Sequence, residues 1–445
     1  DYQPYTFILL EFILSINSNK KHMRTAWFIC GLGALYYAYE YLLRISPSVM
    51  EPSLRSHFNL SATGFGLMSA LYYYAYVPMQ LPVGVLMDRF GPRRLLTAAC
   101  LVCVIGTFMF AGTNIFAVAG LGRFLVGMGS AFAYVGVLKL ATIWLPEDRL
   151  GMVAGSTAAL GTVGAMFGDN ILGGVVESVG WQSTVNYTAF FGIGLMVVLW
   201  FCIHDHKKDL ESGGTINSFK TNMIDLGIIL REKQIWINGM YGCLVYLPTT
   251  VFAELWGIPY LSHAHGLSLS EAGFANSVLF FGFMLGAPTM GFISDRIKRR
   301  KLPMLVGALG AAVMMMLILY VPNLEHHVLF GLMFTLGLLY SAQAIVFAVS
   351  RELSPNEAAG TAIAITNMIV MIGAMFLQPL VGRLLDWSLF MHQSALNVQA
   401  THADKMEQLY TVADYQFALS IIPIGIVIAA ILICFIKETH AHTKR

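Results

Sequence analysis

Apolar positions in this chain gather into long unbroken runs, not into the alternating or one-sided patterns of soluble strands and helices. Such runs cover 26–50, 64–87, 95–112, 115–140, 150–176 and 184–203. A polar stretch, 204–234, separates them from six more, at 235–261, 272–294, 302–321, 328–349, 357–386 and 415–436. A helix needs about 20 apolar residues to cross the hydrocarbon layer, and these runs supply them. The pattern predicts an all-α membrane protein with twelve transmembrane helices in two six-helix bundles. The expected parts are an N-terminal extension at 1–23, a first bundle at 24–203, a linker at 204–234, a second bundle at 235–437 and a tail at 438–445. Within the linker, Ile216, Phe219, Met223 and Ile224 are spaced as in an amphipathic helix over 216–231 lying on the membrane surface. At the start, the apolar stretch 5–14 is short and holds Glu11, with no basic flank and no small-residue cleavage site, so it does not read as a signal peptide. Met23 reads as a natural start.

Composition removes the rival classes. Hydrophobic residues make up 57% and charged residues 12%, against about 25% charged in a soluble domain. A soluble enzyme, a nucleic-acid binder and a disordered chain are excluded on that ground. The net charge of +2 gains meaning only from position. Of the 27 Lys and Arg, twenty-one fall in loops and termini on the N-terminal side of the membrane, and only Arg55 and Lys405 fall on the other. That bias predicts that both termini are cytoplasmic. Seven of the 12 histidines lie in the outer loops and none in a run, so carboxylates are left to carry any proton. The six cysteines, including the Cys100/Cys103 pair, read as packing residues. No metal-ligand cluster, nucleophile motif or phosphate loop is present in the sequence, which predicts no enzyme, no metal and no cofactor.

The two halves repeat. GVLMDRFGPRR, from Gly84 to Arg94, follows the second run, and GFISDRIKRR follows the eighth, 207 residues later. Gly164-Ala-Met-Phe167 returns as Gly373-Ala-Met-Phe376, and Pro146 and Gly173 return as Pro355 and Gly382, each 209 residues on. Parallel duplication of six spans is a mark of paired transporter halves. The loop pattern G-x-x-x-D-R-x-G-x-R-R resembles the conserved inner loop of the major facilitator superfamily, and Arg123-Phe-Leu-Val-Gly127-Met-Gly129 resembles that family's R-x-x-x-G-x-G element. YEYLLRISPSVM, YYYAYVPMQLPVGVLMDRFGPRR and VLKLATIWLP are similar to the bacterial phagosomal nutrient-transporter branch and, more distantly, to lysosomal dipeptide transporters. The resemblance implies a bacterial inner-membrane permease that works by alternating access, has no nucleic-acid partner and needs no second copy. The fifth run lacks the Gly-Pro pair of proton-exchanging exporters, which favours import.

Ionisable residues within spans are the candidate chemistry. Glu40 and Arg44 share a helix face at i, i+4. They read either as a substrate and proton site, with Arg44 gripping a carboxylate bidentately, or as a self-neutralising pair. Glu254, on the repeat partner of the first span, reads as a proton carrier or as a solvated outer residue. The resemblance implies that Arg123 communicates with the first span, with Glu40 as its partner; bonds to backbone carbonyls are the alternative. Asp169 is a further candidate proton site or part of a polar lining. Tyr37, Tyr76, Gln80, Gln343 and Asn367 are candidate substrate contacts. Lys139 either snorkels to the cytoplasm or offers a second cation. Gly84, Asp88, Arg89, Gly91, Arg93, Asp295 and Arg296 form the expected cytoplasmic gate, with Gly84 allowing close helix approach and Asp88 latching the seam between the halves. The expected activity is proton-coupled import of a small polar nutrient, an amino acid or short peptide first. A carboxylate siderophore, a nucleoside or a non-transporting sensor are the rivals.

Overall fold

The computed structural model describes residues 3–146, 149–204, 226–355, 358–396 and 410–440. The first bundle holds α1 (Gln3–Ile45), α2 (Ala62–Phe90), α3 (Pro92–Ala111), α4 (Phe116–Trp144), α5 (Leu150–Val179) and α6 (Trp181–Cys202). The second holds α7 (233–265), α8 (Leu269–Ile297), α9 (Lys301–Tyr320), α10 (His326–Leu353), α11 (Ala359–Leu396) and α12 (Val412–Phe435). Among the described residues nine of these are individually long and apolar enough to cross a membrane. The other three are α1, α2 and α7, whose tyrosines, prolines and carboxylates dilute the apolar run. Those polar residues build the site described below.

The helix ends follow local chemistry. Ser61 caps α2 by accepting from Gly64 N, and Ser268 with Glu271 forms a capping box at the start of α8. Gly91 ends α2 at φ 79°, a conformation that a side chain would strain. Pro248 opens a wide π-type turn, Pro248–Trp256, that interrupts α7, and Gly168–Leu172 makes a similar turn in α5. Position 23 lies inside α1, which runs across it without a break. Most of the expected surface helix at 216–231 lies outside the described residues. Its end, 226–231, is helical, and Ile229 packs on Ile365 and Ile369 of α11.

The two bundles meet along two seams, α2 on α11 and α5 on α8. Call the face where α2 and α12 end the terminal face, and its opposite the far face. Toward the far face the seams are tight. A Cβ on Gly382 would stand 2.2 Å from Ala62 O, one on Gly66 2.6 Å from Gln378 O, and one on Gly273 2.4 Å from Asp169 O. Only glycine permits such backbone approach between membrane helices. Toward the terminal face the same helices diverge: a Cβ on Gly84, Gly151, Gly155, Gly291 or Gly360 would meet nothing within 4 Å. The molecule is sealed on the far face.

Candidate functional site: a buried charge cluster between the bundles

Arg44 lies near the end of α1, 2% exposed. Its Nη2 donates to both oxygens of Glu40 at 2.9 and 3.3 Å, and its Nε donates to Tyr72 Oη at 3.1 Å. Tyr72 in turn donates to Glu40 Oε2 at 2.8 Å. Arg44 Nη1 stands 3.7 Å from Glu254 Oε1, on the other bundle. The guanidinium lies 4.4 Å from the ring centre of Tyr41 and 5.1 Å from that of Tyr76, within cation–π range. Tyr73 donates to Glu254 Oε2 across the same gap, and Glu254 Oε1 has no hydrogen-bond partner among the described residues. The wide turn in α7 carries Glu254, and it is buried on all sides. Glu254 is therefore not a solvated outer residue here.

Arg123 does not reach Glu40. Its Nη1 and Nη2 donate to Leu43 O at 2.8 Å and Arg44 O at 3.1 Å, so it pins the backbone of α1 beneath the cluster. The carbonyls there are available because α1 ends at Ile45. Behind it, Gly127 lets α4 approach α2 so closely that a Cβ would fall 1.9 Å from Tyr72 O. The R-x-x-x-G-x-G spacing thus places Tyr72 and Arg123 together.

The remaining candidates divide. Gln80 and Asn367 meet across the seam at 3.3 Å, and Tyr76 stacks on Tyr72 with ring centres 5.6 Å apart. Tyr37 joins an aromatic wall with Tyr41 and Tyr134. Gln343 sits buried in the tight turn Ser341–Ala344 of α10, and no hydrogen bond joins it to the cluster among the described residues. Asp169 pairs with Asn276 of α8 at 2.8 Å.

In this far-sealed state the expected gate residues bond within their own bundles. Gly84 makes no close contact, and Asp88 pairs with Lys139 of its own bundle at 2.8 Å instead of crossing the seam. Arg93 donates to Trp200 O at 2.9 Å, Arg89 lies over Phe90, and Asp295 pairs with Arg300 at 2.6 Å. Arg296 is exposed, and Gly91 serves as the end cap of α2. The physical reason is the splay of the terminal face, which draws Asp88 and Asp295 onto cations of their own bundles. Lys139, spent on Asp88, adds no cation to the central cluster.

Several residues of consequence escaped sequence reasoning. Asp386 of α11 accepts from Ala62 N at 3.1 Å, Thr63 N at 2.9 Å and Thr63 Oγ1 at 2.5 Å, capping the start of α2 from the other bundle. Tyr410 donates to Asp386 at 2.6 Å, and Arg55 donates to Tyr410 at 3.4 Å. Asp386 stands near the end of a long apolar run, and nothing in its neighbours signals a partner more than three hundred positions away. Tyr72, four positions before Tyr76, escaped notice as a contact of Arg44, whereas Tyr73 shares with Tyr76 and Gln80 the helical spacing of a pathway face, with packing as the alternative.

A sealed seam on one face, a splayed one on the other and a buried charged cluster between two repeated bundles define a secondary transporter of small substrates. The family model described as Major Facilitator Superfamily matches residues 29–377 and 255–444, and the chain belongs to that superfamily. It is 24% identical over 297 residues, 63% of this chain and 67% of the other, to the probable sulfoacetate transporter SauU of Cupriavidus necator. To the probable galactarate/D-glucarate transporter GudP of Escherichia coli it is 25% identical over 386 residues, 79% of this chain and 85% of that one. A solved bacterial homologue of the human lysosomal transporter Spinster, in its inward-facing and unoccupied conformation, superposes with a TM-score of 0.75 at 17% identity, covering 93% and 97% of the two chains.

Proposed function

We propose that this transporter imports a small carboxylate-bearing nutrient together with a proton, by rocking its bundles about the Arg44 cluster. The observation that carries the reading is the sharing of Arg44 between Glu40 of its own bundle and Glu254 of the other. A substrate carboxylate that takes Nη1 must displace Glu254. An unpaired buried carboxylate costs several kcal/mol, about 3–5 when one partner of a buried pair is removed. Protonation of Glu254 removes that cost, and its Oε1, free of any hydrogen bond, is where the proton fits. Anion binding and proton uptake then favour each other and neither proceeds well alone, which is symport.

The relatives named for sulfoacetate and for galactarate and D-glucarate support small organic acids ahead of the amino acid or short peptide first expected. All of these present a carboxylate to Arg44. A nucleoside lacks one, and a carboxylate siderophore needs more cationic groups than Arg44 offers. The basic residues of the loops support a bacterial inner-membrane location with the terminal face cytoplasmic, and the fold supports action as a monomer.

The test is uptake into proteoliposomes of labelled galactarate, an amino-acid pool and a dipeptide pool, with and without an inward proton gradient. Accumulation of one of them that collapses with the gradient is expected. Glu254→Gln is expected to abolish accumulation and leave exchange measurable. Accumulation surviving in that variant would remove Glu254 from coupling, and binding without any flux would turn the reading to a sensor.

A further inference from the structure

A second protonation event is built into the far-face seam, apart from the charge cluster. Asp169 sits in the wide turn of α5, 0% exposed. Its Oδ2 accepts from Asn276 Nδ2 at 2.8 Å across the seam, and the same nitrogen donates to Ala253 O of α7 at 2.8 Å. Both amide hydrogens are thereby placed. Among the described residues two buried acceptors remain without a donor, Asn276 Oδ1 and Asp169 Oδ1.

The surroundings hold no compensating charge. From α8, Asp169 meets Asn276 and the backbone at Gly273, with Ser277 held by Asn170 at 2.5 Å. From α1, Leu42 and Ile45 pack at Gly168, and both are apolar. From α7 comes the Ala253 carbonyl, and Glu254 is the titratable group that acts on Asp169, with the same sign of charge. Among the described residues no guanidinium, ammonium or imidazole bonds to Asp169. An ionised carboxylate here would be both unpaired and sealed from water, the costliest arrangement in a membrane interior. The neutral acid supplies an O–H where two oxygens lack a donor. A metal cation in its place needs a shell of several oxygens, more than the two left open.

We propose that Asp169 is a proton-operated lock on the far-face gate: α5 and α8 close only over its protonated form. When the seam parts, Asp169 meets far-side water, where its ionised form is stable, so an alkaline far-side solution holds the seam open. The lock rests on alternating access alone. It is independent of which substrate is carried and of whether Glu254 couples the proton.

The test uses Ser277→Cys, a position 2% exposed in the closed seam, in oriented vesicles treated from the far side with a membrane-impermeant maleimide. Native Cys30, Cys100, Cys103 and Cys243 are buried, while Cys202 and Cys434 end α6 and α12 on the terminal face. Ser56→Cys, at an exposed far-face position, corrects for the intrinsic pH dependence of thiol reactivity. Corrected labelling at position 277 is expected to rise about tenfold from about pH 6 to about pH 9, equally in sodium and potassium buffers. Adding Asp169→Asn, permanently neutral, is expected to leave labelling low and flat, and to remove the slowing of exchange at alkaline far-side pH. The rise should persist when Glu254→Gln is added. A flat profile with Asp169 intact overturns the lock without need of the Asn variant, as does an unchanged profile in that variant or a profile set by sodium. Loss of gradient-driven accumulation with retained exchange in Asp169→Asn would instead make Asp169 the coupling group and overturn the proposal.

Discussion

Arg44 has five N–H donors in one plane, and its own bundle uses only some of them. Glu40 and Tyr72 take Nη2 and Nε, and Nη1 is left with a contact of 3.7 Å to Glu254. That loose edge is the one a substrate carboxylate can take. Lysine offers a point charge with no fork. Arg44→Lys should therefore weaken carboxylate binding by roughly tenfold to a hundredfold, the loss of one charged hydrogen bond at about 1.5–3 kcal/mol. Isothermal titration with the transported acid checks this, and unchanged affinity would place the substrate elsewhere. Arg123 has a different task, since its bonds go to the backbone that carries Arg44 and Leu43.

At the scale of elements, the far-face seam depends on a cap supplied from the wrong bundle. Asp386 of α11 satisfies the free N–H groups at the start of α2. Losing such a cap costs about 1 kcal/mol, so Asp386→Ala should shift the seam about fivefold toward the open state. Faster far-side labelling of a cysteine in that seam would report it. The chain's end is strapped in a similar way, with Glu438 accepting from Arg300 N at 2.7 Å and Lys301 N at 3.2 Å. Partial burial pushes the Glu438 carboxyl up, but those backbone donors outweigh it and hold it below the usual glutamate range. A carboxyl held low stabilises the fold above its ordinary value and loses that contribution as pH falls through the lowered one. The strap should thus be intact at neutral pH and release only on acidification below the normal glutamate range. Hydrogen exchange at the Arg300 and Lys301 amides should follow that profile, and Glu438→Gln should speed it already at neutral pH.

For the whole molecule, the two seams act as opposite ends of one lever. With the far end shut, the groups of the repeated loop motif stay within their own bundles, and the Asp88–Lys139 pair has side chains 38% and 31% exposed. An exposed pair of that kind is worth about 0–1 kcal/mol. Asp88→Asn should then leave the far-sealed state and substrate binding from the terminal face nearly unchanged. It should slow exchange severalfold, because the state in which the latch has a partner is the other one. Equal loss of binding and exchange would show that Asp88 matters to folding of the first bundle instead.

Twelve spans, the duplication of six of them and the superfamily were legible along the chain, because bilayer thickness imposes a run length and duplication leaves fixed offsets. Glu40 with Arg44 was legible too, since i, i+4 proximity is local geometry. Contacts between bundles were not. Tyr73 with Glu254, Asp169 with Asn276, Gln80 with Asn367 and Asp386 with Ala62 join positions 107 to 324 apart. No periodicity within one helix encodes which face of another it will meet. The same limit applies to the latch: the motif marks candidate residues for closing the terminal face, and which partner each has depends on the state of the seams. The sequence alone determined what each helix is and that it must lie in a membrane. Only the packing of one bundle on the other decided which buried charges share a site and which face is shut.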